Sequence, residues 1–551
     1  MTSLKHRIPV KLRHNWKLVA LCAAFLAVCW GVFGSGTIRP YVTSAQVNEA
    51  EVPITNLTGT KDLFDTSVAH DVKITFTDAA YEDMLTEYFK DGEKNYVEAD
   101  LTIDGTRIPS VGVRLKGNST LGSLTWKGKS KQRSMPGGGQ RPEGMPEGFQ
   151  PPEGFQPPGN GQAQNGQAQN GQAQNGQQQG QGGPPGGGMF GAELKAEEPE
   201  NLPWLISFDE FVEGRRYQGH SQVAVRPAAM GSTTMLNEAL GISLVGAADE
   251  PTQSAAYSSF TVNGRSSKPR LVVEYLDEGY AESLGDGVLY KSLASGSFTY
   301  KGEDQTEYTT DLKQINKVGG KDLQPVIDLV KWVNEASDAE FAEGLADRLD
   351  VESFARYLAL QHIMVNFDDM AGPGKNYYLW YDQDTKKFKV ITWDLNLAFS
   401  GDATSGVNDT IGMGGMGGFG GRGRGQQNQQ GQTQQTQPQQ QTQQPQGDTP
   451  PEAGDRGGPG GGGMMRMSHP LKEKFLKNAT FKKMYEEQYR ALYTKLLANG
   501  TATGLLDDLV AAYKLNDKAD TAKVEAEAKT LRTFLQTRTK TLGSDKAISG
   551  A

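Results

Sequence analysis

Residues His362–Gly401 read HIMVNFDDMAGPGKNYYLWYDQDTKKFKVITWDLNLAFSG. The pattern predicts an amphipathic helix ending in Asn366, Phe367, Asp368 and Asp369, followed by a turn at Gly372, Pro373 and Gly374. Asn376 then opens the strand NYYLWY, a turn at Asp382 to Lys386 follows, and the strand KFKVITW delivers Asp394 and Asn396 at its end. A hairpin of this kind brings Asp368, Asn376 and Asp394 into one pocket. Carboxylates and an amide oxygen are hard donors suited to Mg²⁺ or Mn²⁺. A cation held there would neutralise the polyphosphate of a nucleotide, and one carboxylate could orient or deprotonate an acceptor hydroxyl. Two other readings fit the same residue types: turn and cap residues with local hydrogen-bonding roles, and a structural Ca²⁺ site. No DxDxDG loop supports an EF-hand.

Upstream, VGVRLKGNST (Val111–Thr120) alternates so that Arg114 and Lys116 oppose Val113 and Leu115, and Gly117 frees the backbone for a donor-rich turn. Two cations and backbone N–H groups there suit a phosphate, although a solvated strand edge has the same pattern. A third element, VVEYLDEGYAESLGDGVLYKS, sets Glu274 and Lys291 on either side of a loop. A strand lysine held by a glutamate is the kinase arrangement for binding phosphates. His362 lies on the patterned helix and reads as a packed histidine rather than a base. No G-x-x-x-x-G-K-[ST], H-E-x-x-H, H-R-D or G-x-S-x-G occurs, and the G-x-G-x-x-G at Gly412, Gly414 and Gly417 has no strand leading into it.

The rest of the chain frames these segments. It has 551 residues with 68 Gly and 26 Pro, 65 acidic against 56 basic side chains and a formal charge of −9. Collagen is excluded, and no nucleic-acid partner is expected of so acidic a chain. The only cysteines, Cys22 and Cys29, lie in the first thirty residues, so no disulfide framework or Cys-rich metal site exists downstream. Both fall in the apolar run Leu18 to Phe33, which follows Lys5, Arg7, Lys11, Arg13 and Lys17. This reads as a transmembrane signal anchor with an extracytoplasmic body, or as a cleaved signal of a secreted protein. The expected organisation is a basic tail and anchor (1–45), a linker (46–67), a strand-rich part (68–132), a low-complexity insert (133–190), a central part (191–411), a second insert (412–467) and a helical part (468–546). The two inserts, rich in Gly, Gln and Pro, lack the apolar surface needed to offset backbone ordering. Strands followed by helices describe an α+β protein, with chemistry expected at the junction.

Taken in order, VGVRLKGNST, VEYLDE, GVLYK, the N-x-D of Asn366 to Asp368, NYYLWYD and WDLN resemble the spore coat protein H (CotH) kinase family. The resemblance implies a divergent protein-kinase-like fold and the use of ATP and a divalent metal to phosphorylate a protein or another surface acceptor. By matched motif it implies Asp368 as the catalytic aspartate and Asp394 as the residue holding metal under the phosphates. Asn376 is implied as a second metal or site-shaping residue, Arg114, Lys116 and Lys291 as phosphate binders, and Glu274 as partner to a lysine. Asn396 stands where many relatives carry aspartate, so its oxygen can still reach a metal but brings no charge. An inactive, metal-binding envelope module is the alternative reading, and a glycan-active enzyme with paired carboxylates is a third.

Overall fold

The computed structural model describes residues 53–117, 120–130, 194–228, 232–318, 322–411 and 468–550, with a few isolated positions besides. The chain divides into two units, 1–53 and 54–551, and the fold described is that of the second. Among the described residues no helix is long and apolar enough to cross a membrane. The anchor expected at Leu18 to Phe33 and both expected inserts lie almost wholly outside the described residues.

Seven strands close into a barrel: β1 (Asp71–Thr75), β2 (Val97–Ile103), β3 (Thr106–Leu115), β4 (Trp204–Ser207), β5 (Gln222–Val225), β6 (Ala255–Val262) and β7 (Lys268–Glu274). The order around it is β1-β2-β3-β4-β5-β7-β6, and β6 closes on β1 in parallel. β2 and β3 are joined by a turn at Asp104 and Gly105, both at positive φ, and the helix α1 (Asp78–Lys90) follows β1. The core is made by inward residues such as Val72, Ile74, Leu101, Val113, Trp204, Val225 and Phe260. In β7 the run Leu271-Val272-Val273 is buried on both sides: Val272 packs into the barrel, and Leu271 and Val273 pack against the helical core. This double burial explains a continuous apolar run where a half-exposed strand would alternate.

Register decides which polar residues meet. Leu115 at the end of β3 pairs with Trp204, and Trp204 pairs with Val225 at the end of β5. The residues that follow, Lys116 and Arg226, therefore leave the barrel at the same rim although 110 positions separate them. A second, antiparallel sheet has the order β9-β8-β10-β11, from β8 (Gly287–Ser292), β9 (Leu312–Gln314), β10 (Tyr377–Asp382) and β11 (Phe388–Thr392).

Helices complete the unit: α2 (Leu236–Ala247), α3 (Gln324–Glu335), α4 (Val351–Ile363), α5 (Pro470–Lys477), α6 (Ala479–Leu492), α7 (Thr501–Lys514) and α8 (Thr521–Gly543). The C-terminal block is helical, and caps divide it, so that α5 and α6 are separate helices, as are α7 and α8. Asn478 ends α5 by turning its side chain onto the N–H groups of Thr480 and Phe481 as an N-cap, and Asp520 caps α8 the same way at Lys523. The mixed α+β class is thus observed, with the strand-rich part closed into a barrel that periodicity alone does not specify.

The C-terminal helices are tied to the segment quoted first. Arg538 of α8 is fully buried. It donates to the carbonyls of His362 at 2.8 Å and Ile363 at 3.2 Å, and to the Tyr489 hydroxyl at 2.8 Å. It also donates to the Ser405 carbonyl. The His362 carbonyl also accepts from Val365 N–H at 3.1 Å, so Arg538 adds a second donor at the C-terminal end of α4, just before the Asn366–Asp369 loop. His362 accepts from Arg538 at Nδ1 and donates from Nε2 to the Asp409 carbonyl, and burial followed by the Arg538 charge pushes its pKa down to about 4. It is a packed, neutral histidine, as its place on the patterned helix suggested. Arg538→Met removes these donors from a buried helix end; a loss of about 3 kcal/mol is expected, read as a lower denaturant midpoint at unchanged slope.

Candidate active site

The helix α4 ends at Ile363, and Val365 adopts φ 48°, a left-handed conformation costly for a β-branched residue. Lys375 and Asp394 also take positive φ, at 50° and 53°. Backbone strain of this kind, about 1–3 kcal/mol per residue, collects where surrounding structure holds side chains in place for a purpose.

The two consecutive aspartates of the loop part ways. Asp369 accepts from Ala371 N–H at 2.8 Å and pairs with Lys472 of α5, which ties the loop to the helical region. Asp368 accepts from Gly374 N–H at 2.6 Å and from the Asn376 side-chain amide at 2.9 Å. A β-carbon on Gly374 would stand 2.7 Å from an Asp368 carboxylate oxygen, so glycine is what permits this approach. Burial raises the Asp368 pKa to about 6 against the Gly374 hydrogen bond, and the charges of Asp394 and Asp369 add to the rise. A cavity of about 560 Å³ lies on the other side of the loop, lined by His362, Phe367, Asp369, His469 and Lys472 among others; neither Asp368 nor Asp394 lines it.

Asp394 follows β11 and receives Arg226 Nη2 at 2.5 Å; Arg226 Nε in turn donates to Glu238 of α2 at 2.8 Å. Its other carboxylate oxygen has no hydrogen-bond donor among the described residues. Burial alone would raise the Asp394 pKa, but Arg226 and then Lys116 outweigh it and hold the carboxyl below its usual value. Burial raises Glu238 in spite of Arg226. Lys116 lies 5.2 Å from the Trp393 ring centre and 5.7 Å from that of Tyr275. Lys291 lies 4.9 Å from the Trp393 ring, 5.4 Å from Tyr378 and 5.5 Å from Tyr275. Within the described residues neither lysine has a carboxylate at salt-bridge distance. Three aromatic faces stabilise the two cations in the absence of such a partner.

Burial, reinforced by Arg226, pushes the Lys116 pKa down to about 7. The free protein at pH 8 therefore holds Lys116 mainly as the neutral amine, whereas a polyphosphate beside it favours the ammonium. Polyphosphate binding at pH 8 should take up a proton, and affinity should weaken as pH rises from 7 to 8.5. Calorimetric enthalpies that vary with the ionisation heat of the buffer would show this uptake; enthalpies independent of buffer would remove Lys116 from the binding event.

The sequence-derived candidates thus sort as follows. Asp394, Lys116 and Lys291 come together, and Asp368 and Asn376 form a bonded pair close enough to feel the Asp394 charge. Arg114 stands apart, 5.0 Å from the Tyr96 ring centre. Asn396 is half-buried, with its backbone carbonyl accepting from Asn237 of α2 at 2.6 Å. Glu274 does not hold a lysine: it lies opposite Val223 in β5, accepts from Ser254 N–H at 2.9 Å and faces His220 at 3.2 Å. The glutamate that does pair with a site cation is Glu238, and the cation is Arg226; neither was among the candidates. The available signal was Glu238 itself, the one charged residue in the helix LNEALGISLVGA, where a buried carboxylate demands a partner.

Among the described residues no three His, Cys, Asp or Glu side chains are grouped to hold a metal. The donor there that no described protein group engages is the second oxygen of Asp394, a single carboxylate. That fits Mg²⁺ or Mn²⁺, which use one or two carboxylates and complete their shell with water and substrate phosphates.

An α+β protein whose sheet and helix junction gathers two carboxylates and three cations around a strained strand end has the components of a phosphate-handling site. A family model described as CotH kinase protein matches residues 191–542, and the chain belongs to that family. No curated protein matches the chain. The match begins after Lys116, yet β3, which carries Lys116 to the site, is paired along Gly112–Leu115 with β4 inside the matched region.

Proposed function

We propose that the protein is a metal-dependent phosphotransferase that moves the γ-phosphoryl group of ATP to a hydroxyl acceptor, a protein Ser or Thr or another cell-surface group. The observation that carries this reading is the convergence of Lys116, Lys291 and Arg226 on Asp394, with a second carboxylate, Asp368, close enough to feel the Asp394 charge. Lys116 and Lys291 bind phosphate oxygens, and Arg226, held by Glu238, orients Asp394. The Arg226–Glu238 pair joins a strand end to a helix as the lysine–glutamate pair does in protein kinases, which supports a divergent kinase-like arrangement. A divalent cation bound through Asp394, with Asn376 or Asn396, would neutralise phosphate charge. Asp368 accepts the proton of the acceptor hydroxyl as its oxygen bonds to the γ-phosphorus and the bond to ADP breaks. The basic, apolar N-terminal sequence favours membrane association with the catalytic body outside the cytoplasm.

The test is calorimetric titration of the purified chain with ATP in the presence and absence of Mg²⁺ or Mn²⁺, followed by transfer of labelled γ-phosphate to protein acceptors. Metal-dependent binding with transfer is expected. A folded sample that binds Ca²⁺ but no nucleotide would overturn the reading in favour of an envelope module.

A further inference from the structure

The loop between the two members of the Arg226–Glu238 pair is held from a distance. Glu527 of α8, almost 300 residues further along the chain, places its carboxylate on three consecutive residues just before α2. It accepts from Ser232 Oγ at 3.0 Å, Thr233 N–H at 2.9 Å, Thr233 Oγ1 at 2.6 Å, Thr234 N–H at 3.3 Å and Thr234 Oγ1 at 2.5 Å. Ser232 and Thr234 are buried, and the Thr234 carbonyl accepts from the Tyr257 hydroxyl at 2.8 Å, so the loop is gripped on both sides. The helix itself supplies no such hold, since Met235 at its N-cap makes no side-chain capping bond. Five donors on one carboxylate is a saturated arrangement, and charge-assisted bonds of this kind are the strong ones. What it fixes is the start of α2, and hence Glu238, one turn further along. Glu238 fixes Arg226, and Arg226 fixes Asp394.

We propose that Glu527 is a positioning residue for the phosphate site, through which the C-terminal helix sets the geometry of Glu238, Arg226 and Asp394. The inference rests on the phosphotransferase reading. It predicts that binding of nucleotide depends on a carboxylate that, among the described residues, makes no hydrogen bond or ion pair with Lys116, Lys291, Arg226 or Asp394.

The experiment uses the full chain carrying Glu527→Ala, which removes the equivalent of one acetate molecule while leaving the five donors in place. ATP affinity with Mg²⁺ or Mn²⁺ is measured for wild type and variant, with and without about 100 mM acetate and with chloride as the control, at a temperature where both are folded by circular dichroism. At least a tenfold loss in the variant, restored to within about threefold by acetate and not by chloride, is expected. A purely structural contribution would lower thermal stability without moving affinity at that temperature. Wild-type affinity in the folded variant, or a loss that acetate leaves unchanged, overturns the positioning role alone. If the variant is unfolded, Glu527→Gln takes its place: it keeps the shape, and undiminished ATP affinity in it overturns the role. If wild type itself binds no ATP, the phosphotransferase reading fails and the positioning role fails with it.

Discussion

Asp394→Asn is expected to leave a folded protein whose metal-dependent ATP affinity has fallen by about 100-fold or more. The substitution is close to isosteric, and asparagine tolerates the left-handed backbone at φ 53° better than most residues, so the strand end should keep its shape. What changes is charge. Asp394 is the carboxylate in contact with Arg226, and its free oxygen is the anionic donor available to a cation. Without that charge, Arg226 keeps only Glu238 as an anionic partner, and the depressed proton affinity of Lys116 loses one of the influences that oppose its fall. Nucleotide binding should therefore weaken both through the missing metal ligand and through a less readily protonated Lys116. Titration calorimetry of the variant beside wild type, with circular dichroism to confirm the fold, decides it. Undiminished metal-dependent binding would remove Asp394 from the site.

The second large effect separates chemistry from binding. Asp368→Asn should lower the transfer rate by about 10³-fold, within the range general-base catalysis supplies, and change ATP affinity by no more than about threefold. Asp368 is bonded to Gly374 and Asn376 rather than to the cations that face phosphate, which is why binding should survive. The pH dependence follows from its pKa of about 6. The base is active when deprotonated, so the wild-type rate should fall as pH drops through about 6. The stability effect has the opposite sense: because the folded carboxyl holds its proton more tightly than an unfolded one, its contribution to stability is present below about pH 4 and is lost as pH rises through 6. Loss of ATP binding in the variant would place Asp368 in the nucleotide pocket instead; a rate independent of pH between 5 and 7 would exclude it as the base.

Much of the site was readable locally because its parts are local. The glycine turn and the two strands of NYYLWY and KFKVITW appear where periodicity and turn chemistry put them, with Asp394 just past its strand, whereas the helix expected to end in Asn366–Asp369 stops at Ile363 and leaves Asp368 in the loop. Consecutive Asp368 and Asp369 differ only by what the fold presents to them, a glycine turn for one and Lys472 for the other. The Glu274 assignment failed for a similar reason. Its spacing to Lys291 in the chain resembled a kinase pair, but strand register turns it toward Ser254 and His220.

By itself the sequence determined the α+β class, the type of most strands and helices, the absence of cysteine chemistry from the body and the membership in a kinase family. These depend on side-chain pattern over a few residues or on composition, and both survive without knowledge of the fold. Tertiary structure alone decided that the strands close into a barrel, that Lys116 and Arg226 leave it at one rim, that Glu238 rather than Glu274 carries the partner charge, and that Glu527 holds the loop between them. Each of those contacts joins residues brought together by strand register or helix packing, with energies set by burial and mutual charge, and no local pattern records which distant partner will be opposite.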